Sequence, residues 1–232
     1  MDDKKLTITL PEIYRRLMAR YGPQHWWPAD EPFEVIVGAI LTQSAAWTNV
    51  EKAIGNLKAA GRLSPAGLHR LPHDELARLI HPSGYYNVKA RKLRAFVDWL
   101  DERYDGDLEK LFANGAGHLR RELLSVYGIG EETADSIILY AAGKPVFVID
   151  AYTRRIIDRA GLAPQGTGYG NYQALFTDNL PTDTALFNEY HALLVCHGKN
   201  VCRTRPLCEN CCLATPDAAA ATAPFPCAAI PR

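Results

Sequence analysis

The stretch Leu124-Ser125-Val126-Tyr127-Gly128-Ile129-Gly130-Glu131-Glu132-Thr133-Ala134 decides how this chain is read. Upstream of it, His118 to Tyr127 reads as a helix with Leu119, Leu123 and Leu124 on one face. A second helix starts near Glu131 and carries Ala134, Ile137, Ile138 and Ala141 at i, i+3, i+4 and i+7. Two short helices joined by Gly128-Ile129-Gly130 make a helix-hairpin-helix. Glycine there permits positive φ and close backbone approach. The first amides of the second helix then point outward, ready for an anion such as a DNA phosphate. That mode holds the backbone of a duplex and does not read its bases. Taken alone, Gly-Ile-Gly is equally a plain turn between two packed helices.

Past the second helix, Val146-Phe147-Val148-Ile149 is apolar and Asp150 opens a new helix at Ala151. One reading of Asp150 is a helix N-cap. The other is a carboxylate held in an apolar cleft, where it stabilises positive charge developing on a sugar or activates water. Elsewhere, helical spacing recurs. Asp74 to Ile80 carries Leu76, Leu79 and Ile80, and Lys89 to Leu100 carries Leu93, Phe96, Val97 and Leu100. The run Pro32 to Gln43 fits a buried strand or a buried helix, and its length favours helix. Few segments alternate as half-buried strands do. The expected fold class is all-α.

Apolar residues make up 47% of the 232 and charged residues 22%, which excludes generic disorder and collagen-like chains. The 26 basic and 26 acidic side chains cancel, so any contact with nucleic acid must rest on local patches. The apolar run Leu6 to Leu10 is too short for a signal-peptide core or a membrane span, which points to a cytoplasmic protein without a membrane partner. All six cysteines fall between positions 196 and 227. Such a cluster, with no secretion signal, reads as a metal site, and Cys202-x5-Cys208-x2-Cys211 suits zinc or iron–sulfur.

The hairpin followed by Val148-Ile149-Asp150 resembles the hairpin and catalytic aspartate of the endonuclease III superfamily of DNA glycosylases. Leu41-Thr42-Gln43 is similar to the segment whose glutamine fills the gap left by a flipped base. Gly84-Tyr85-Tyr86-Asn87-Val88-Lys89-Ala90 resembles the loop that wedges into the duplex. The matches keep the family's order from about Pro32 to Cys211. The resemblance implies base excision repair on damaged double-stranded DNA by a monomeric, two-lobed enzyme. One lobe spans 32–149 and holds the hairpin. The other joins 1–31 to 150–232 and carries an iron–sulfur loop. Asp150 is the implied catalytic residue. Gln43, Tyr85, Gly128, Gly130, Thr133, Lys89 and Arg203 are the implied DNA contacts, with Gln43 and Tyr85 as wedge candidates. The basic run Lys89, Arg91, Lys92 and Arg94 is equally a solvated helix face.

One departure bears on the chemistry. Members that also cleave the strand carry a lysine two positions after the second hairpin glycine, where its amine forms a Schiff base with the sugar. This chain has Glu132 there. A carboxylate forms no imine, so a monofunctional glycosylase is expected. Glu132 read simply as a first-turn acid balances the helix dipole. Trp26-Trp27-Pro28, Trp47, Pro82-Ser83-Gly84-Tyr85-Tyr86-Asn87 and His197-Gly198-Lys199 are similar to the bacterial 3-methyladenine DNA glycosylase branch. By that likeness Trp26, Trp27, Pro28, Trp47, Glu132 and Lys199 line or adjoin the base pocket. Aromatic walls and an acid suit a base made cationic by alkylation. Adjacent tryptophans also serve as core anchors. A cationic Lys199 would repel such a base, so it is expected to be neutralised, deprotonated by burial or carbamylated; otherwise it contacts phosphate.

In the superfamily four cysteines hold a 4Fe–4S cluster in the pattern C-x6-C-x2-C-x5-C. Here the first spacing is one shorter and the fourth position is Asp217. Cys202, Cys208 and Cys211 are the expected ligands with Cys227 as the fourth, and Cys196 or Cys212 as alternatives. Two other functions remain open: a glycosylase for oxidised or mismatched bases, and a catalytically silent module that binds damaged DNA.

Overall fold

The computed structural model describes residues 8–214, and Cys227 and Asp217 lie outside them. Regular structure among the described residues is helical, with no strand. The helices in chain order are α1 (Leu10–Tyr21), α2 (Pro32–Leu41), α3 (Trp47–Ala59), α4 (Pro65–His69), α5 (His73–Leu79), α6 (Tyr86–Tyr104), α7 (Leu108–Phe112), α8 (Ala116–Leu124), α9 (Glu131–Ser136), α10 (Ala151–Arg159), α11 (Tyr169–Thr177) and α12 (Thr184–Asn200). Among the described residues no helix is long and apolar enough to cross a membrane. The chain divides into two compact units, one of Ala29–Lys144 and one formed by the residues up to Pro28 with those from Pro145 onward.

The Ala29–Lys144 unit is built around α2. Every residue from Phe33 to Leu41 is buried, so this helix is apolar all round, as a central helix must be. Pro32 starts it, and the Thr42 amide closes it on Gly38 O at 2.8 Å. The one charged residue of α2, Glu34, is paired with Lys58 of α3 at 2.8 Å. α2 packs on α3, on α6 and on the segment that continues α9. α6 buries Lys89, Ala90, Leu93, Phe96, Val97 and Leu100, a stripe at helical spacing. α8 stops at Leu124, three residues before the predicted end. There the amide of Val126 turns back to Leu123 O at 3.1 Å and Ser125 Oγ donates to Glu122 O at 2.7 Å. α9 widens into a π-turn over Ile137–Ala141, whose Ile137, Ile138 and Leu139 are buried. Asp135, fully buried on α9, is held by Arg120 Nε at 2.7 Å.

The second unit packs α1 and α10 on α12. α1 is capped by Thr9 and buries Leu10, Ile13, Leu17 and Tyr21. α12 is capped by Asp183, whose Oδ1 accepts from Leu186 N at 2.6 Å, and it is buried from Tyr190 to Gly198. Pro145–Ile149 belongs to this unit, although the sequence reading ended the other lobe at 149. The cause is Phe147, which stacks on Phe176 at 3.9 Å and 12° and meets Phe187 and Tyr190 edge-on at 5.3 and 5.7 Å. Such ring pairs add about 0.5–1.5 kcal/mol each beyond the area they bury.

Candidate functional site

Asp150 uses its two oxygens differently. It caps α10 with Oδ1, which accepts from Thr153 N at 2.7 Å. Its Oδ2 lies 3.8 Å from His191 Nε2 of α12. Both residues are buried, at 9% and 5% exposure. Burial pushes the His191 imidazole below the ordinary histidine range, and the Asp150 charge opposes that shift. The ring of His191 lies 6.3 Å from that of Trp26, and Trp26 lies 5.9 Å from Trp27. Trp26 and Trp27 are half-buried and Pro28 is exposed. The unit thus holds a buried carboxylate with one oxygen fixed by the backbone and one facing a histidine, with tryptophans next to that histidine. A carboxylate of this kind can stabilise an oxocarbenium-like sugar or accept a proton from water. Nothing in the sequence pattern marks His191 as its neighbour.

The hairpin lies within the Ala29–Lys144 unit. Gly128 has φ +84°, and a Cβ there would sit 2.3 Å from Lys92 Cγ, so position 128 admits glycine on two grounds. Gly130 caps α9 with extended backbone. Gln43 is tied to this turn. Its Nε2 donates to Gly128 O at 3.0 Å and to Thr133 Oγ1 at 2.9 Å, and its Oε1 accepts from Lys92 Nζ. Thr133 is buried, so the hydroxyl expected at DNA serves Gln43. Glu132 is exposed in the first turn of α9, and Trp47 is half-buried at the start of α3. Tyr85 is 72% exposed and held in the left-handed region at φ +44°, and Tyr127 beside the hairpin is 58% exposed. A left-handed, solvent-facing tyrosine is a strained placement of the kind found where a side chain must project.

The basic run of α6 is not a uniform face. Lys89, expected at a phosphate, is 2% exposed, and its ammonium donates to Leu41 O at 2.8 Å and Ser83 O at 2.7 Å. Burial pushes it down to about 8. Arg94 is spent on the carbonyls of His69 and Leu71. Lys199 is exposed in the last turn of α12, so of the three states expected for it the one that rests on burial lacks that burial. Arg203 is exposed.

Cys202, Cys208 and Cys211 line one cavity of about 160 Å³, together with His197, Arg159, Ile156, Val201 and Leu207. Cys202 is buried, Cys208 exposed and Cys211 half-buried. Cys196 and Cys212 are buried but do not line it, and burial pushes the Cys212 thiol up to about 11. Among the described residues no three His, Cys, Asp or Glu side chains converge as the ligands of a single metal ion. Three sulfurs spread around an apolar cavity fit a larger iron–sulfur cluster. The loop is fastened to α10. Arg155 donates to Cys202 O at 2.7 Å and Gly198 O at 3.0 Å, and Arg159 donates to Arg203 O at 2.7 Å, Thr204 O at 3.1 Å and Cys202 Sγ at 3.4 Å.

A family profile described as HhH-GPD superfamily base excision DNA repair protein matches residues 37–182. A candidate DNA repair glycosylase of Methanocaldococcus jannaschii is 45% identical over 86% of this chain and 91% of its own length. Endonuclease III of Thermotoga maritima is 29% identical, covering 88% of this chain and 90% of its own. Among solved structures, an H. pylori 3-methyladenine DNA glycosylase bound to 1,N6-ethenoadenine superposes with a TM-score of 0.68 at 26% identity, covering 81% of this chain and 96% of its own. A trapped endonuclease III–DNA covalent intermediate shares the fold, with a TM-score of 0.75 over 87% of this chain and 90% of its own at 21% identity.

Proposed function

This chain belongs to the HhH-GPD superfamily of base excision DNA repair proteins and is a DNA glycosylase, and from that premise we propose that it is a monofunctional one, acting on alkylated bases of the 3-methyladenine kind in duplex DNA. The observation that carries the reading is the buried Asp150, with Oδ1 held by the Thr153 amide and Oδ2 facing His191 at 3.8 Å. As the bond to the base lengthens, positive charge grows on the sugar, and a carboxylate in a low-dielectric site stabilises that charge more strongly than water does. Water then adds at C1′ while Asp150 takes its proton. Glu132 stands where strand-cleaving relatives use lysine, so the sugar is never bound to an amine and the backbone stays intact. Trp26, beside His191, and Trp27 next to it offer ring faces to a flipped and cationic base. Gly128, Gly130 and Arg203 contact phosphates, and Gln43 and Tyr85 occupy the space that the flipped base leaves. Cys202, Cys208 and Cys211 hold a 4Fe–4S cluster that supplies structural and electrostatic support to the loop of Lys199 and Arg203.

The test is release of free 3-methyladenine from alkylated duplex DNA. Wild type should release it without nicking the strand and without forming a borohydride-trapped adduct. Asp150→Asn should lower release by roughly 10³-fold with DNA binding kept. A borohydride adduct would refute the monofunctional chemistry. Release of an oxidised or mismatched base instead would redirect the pocket. Binding without release of any base would make the protein a recognition module.

A further inference from the structure

The cysteine cavity is approached by a buried chain of hydrogen bonds that glycosidic chemistry does not use. Tyr21 Oη of α1 lies 2.8 Å from His197 Nδ1, and His197 Nε2 lies 3.4 Å from Cys211 Sγ. The two rings meet edge-on at 5.9 Å and 61°, and His197 has no exposed surface. Both ring nitrogens are therefore engaged, one by a phenol and one by a sulfur. On the other wall of the cavity, Arg159 Nη1 donates to Cys202 Sγ at 3.4 Å.

We propose that Tyr21 and His197 form a relay that ends on the Cys211 sulfur and sets the reduction potential of the cluster in this cavity. The inference rests on the cluster reading given under the proposed function. Its logic is one of proton positions. A cysteine bound to iron is a thiolate and has no hydrogen to give. His197 must then carry its hydrogen on Nε2 and donate it to Cys211 Sγ. That leaves Nδ1 as an acceptor, and Tyr21 is the donor that fills it. The tyrosine thus selects the tautomer and holds the ring plane, as outer partners of ligand groups do. A donor on a ligand sulfur withdraws charge and favours the more electron-rich state of the cluster, so its removal lowers the potential. Tyr21 and His197 are positioning residues here, since neither touches DNA or the iron.

The experiment uses the purified holoprotein and reads iron content, the visible absorbance near 400 nm expected of the cluster, and the reduction potential by voltammetry. Tyr21→Phe keeps the ring but removes the donor. It should retain iron, while the equilibrium constant for reduction falls roughly three- to tenfold, the size of one ordinary hydrogen bond. Tyr14→Phe, on the same helix but packed on Tyr190, should leave the potential unchanged. His197→Gln keeps an N–H for the sulfur and should hold the wild-type potential, whereas His197→Leu should lower it. Where Tyr21→Phe loses its iron, the Gln and Leu variants of His197 give the same reading between them. A wild-type potential in Tyr21→Phe, or equal potentials in the two His197 variants, would overturn the relay with the cluster reading intact. A colourless, iron-free wild type would overturn the cluster reading and the relay with it.

Discussion

The hairpin of the Ala29–Lys144 unit and the cap of α10 in the other unit both start a helix with a polar turn, and they treat their chemistry in opposite ways. At the hairpin Gln43 is held by Gly128 O, Thr133 Oγ1 and the Lys92 ammonium, and the charges beside it, Glu131 and Glu132 in the first turn of α9, are exposed. Exposed Tyr127 stands beside them. In the other unit the titratable groups are buried: Asp150 and His191 at the cap of α10, and His197 farther along α12. Burial holds His191 and His197 of the second unit below the ordinary histidine range.

Acid gives the largest effect by which this contrast can be broken. Burial lowers His197 from 6.5 to about 4, and His191 shifts in the same direction. The unfolded chain takes up these protons as pH falls below about 6.5, while the folded chain resists until the folded values are reached. Stability from this source is therefore complete above about 6.5 and is lost on descent towards 4. For His197 it amounts to on the order of 3 kcal/mol. Hydrogen exchange followed by mass spectrometry between pH 7 and 4.5 should show amides of α12 losing protection before those of α2 and α6. Uniform loss over both units would remove the contrast.

Gly128→Ala sharpens it from the other side. An alanine at φ +84° with its Cβ against Lys92 should cost about 1–3 kcal/mol. The displaced Lys92 should also loosen Gln43 and weaken DNA binding. The loss should be the same at pH 5 and pH 8 when measured by chemical denaturation. The smallest effect is expected for Lys89→Met in DNA binding. Because its ammonium is occupied by Leu41 O and Ser83 O, affinity and its salt dependence should stay within about twofold of wild type, against a loss of nearly one unit of salt slope for a true phosphate contact. Titration of a labelled duplex at several salt concentrations decides this.

The features visible in the sequence were those that rest on local backbone rules. Glycine spacing announced the hairpin, apolar spacing announced α6, and the all-helical class followed from them. Lys89 was legible in principle, since it stands four residues before Leu93 on the same buried stripe, but its charge drew attention away from its register. The neighbours of Asp150 and Cys211 were not legible. His191 lies 41 residues beyond Asp150, and Tyr21 meets His197 across 176 residues, and no periodicity links such pairs. The early end of α8 likewise depends on a turn closed by Leu123 and Glu122 carbonyls, which apolar spacing alone does not signal.

The grip of Arg155 and Arg159 falls on four main-chain oxygens, those of Gly198, Cys202, Arg203 and Thr204. Peptide oxygens are present whatever side chain sits on them. The loop can therefore exchange its outward side chains, and so retune how it meets a polyanion, with no slack reaching the helix that Asp150 heads. Adaptability at the rim and constancy at the cap of α10 are kept apart by the choice of acceptor atoms.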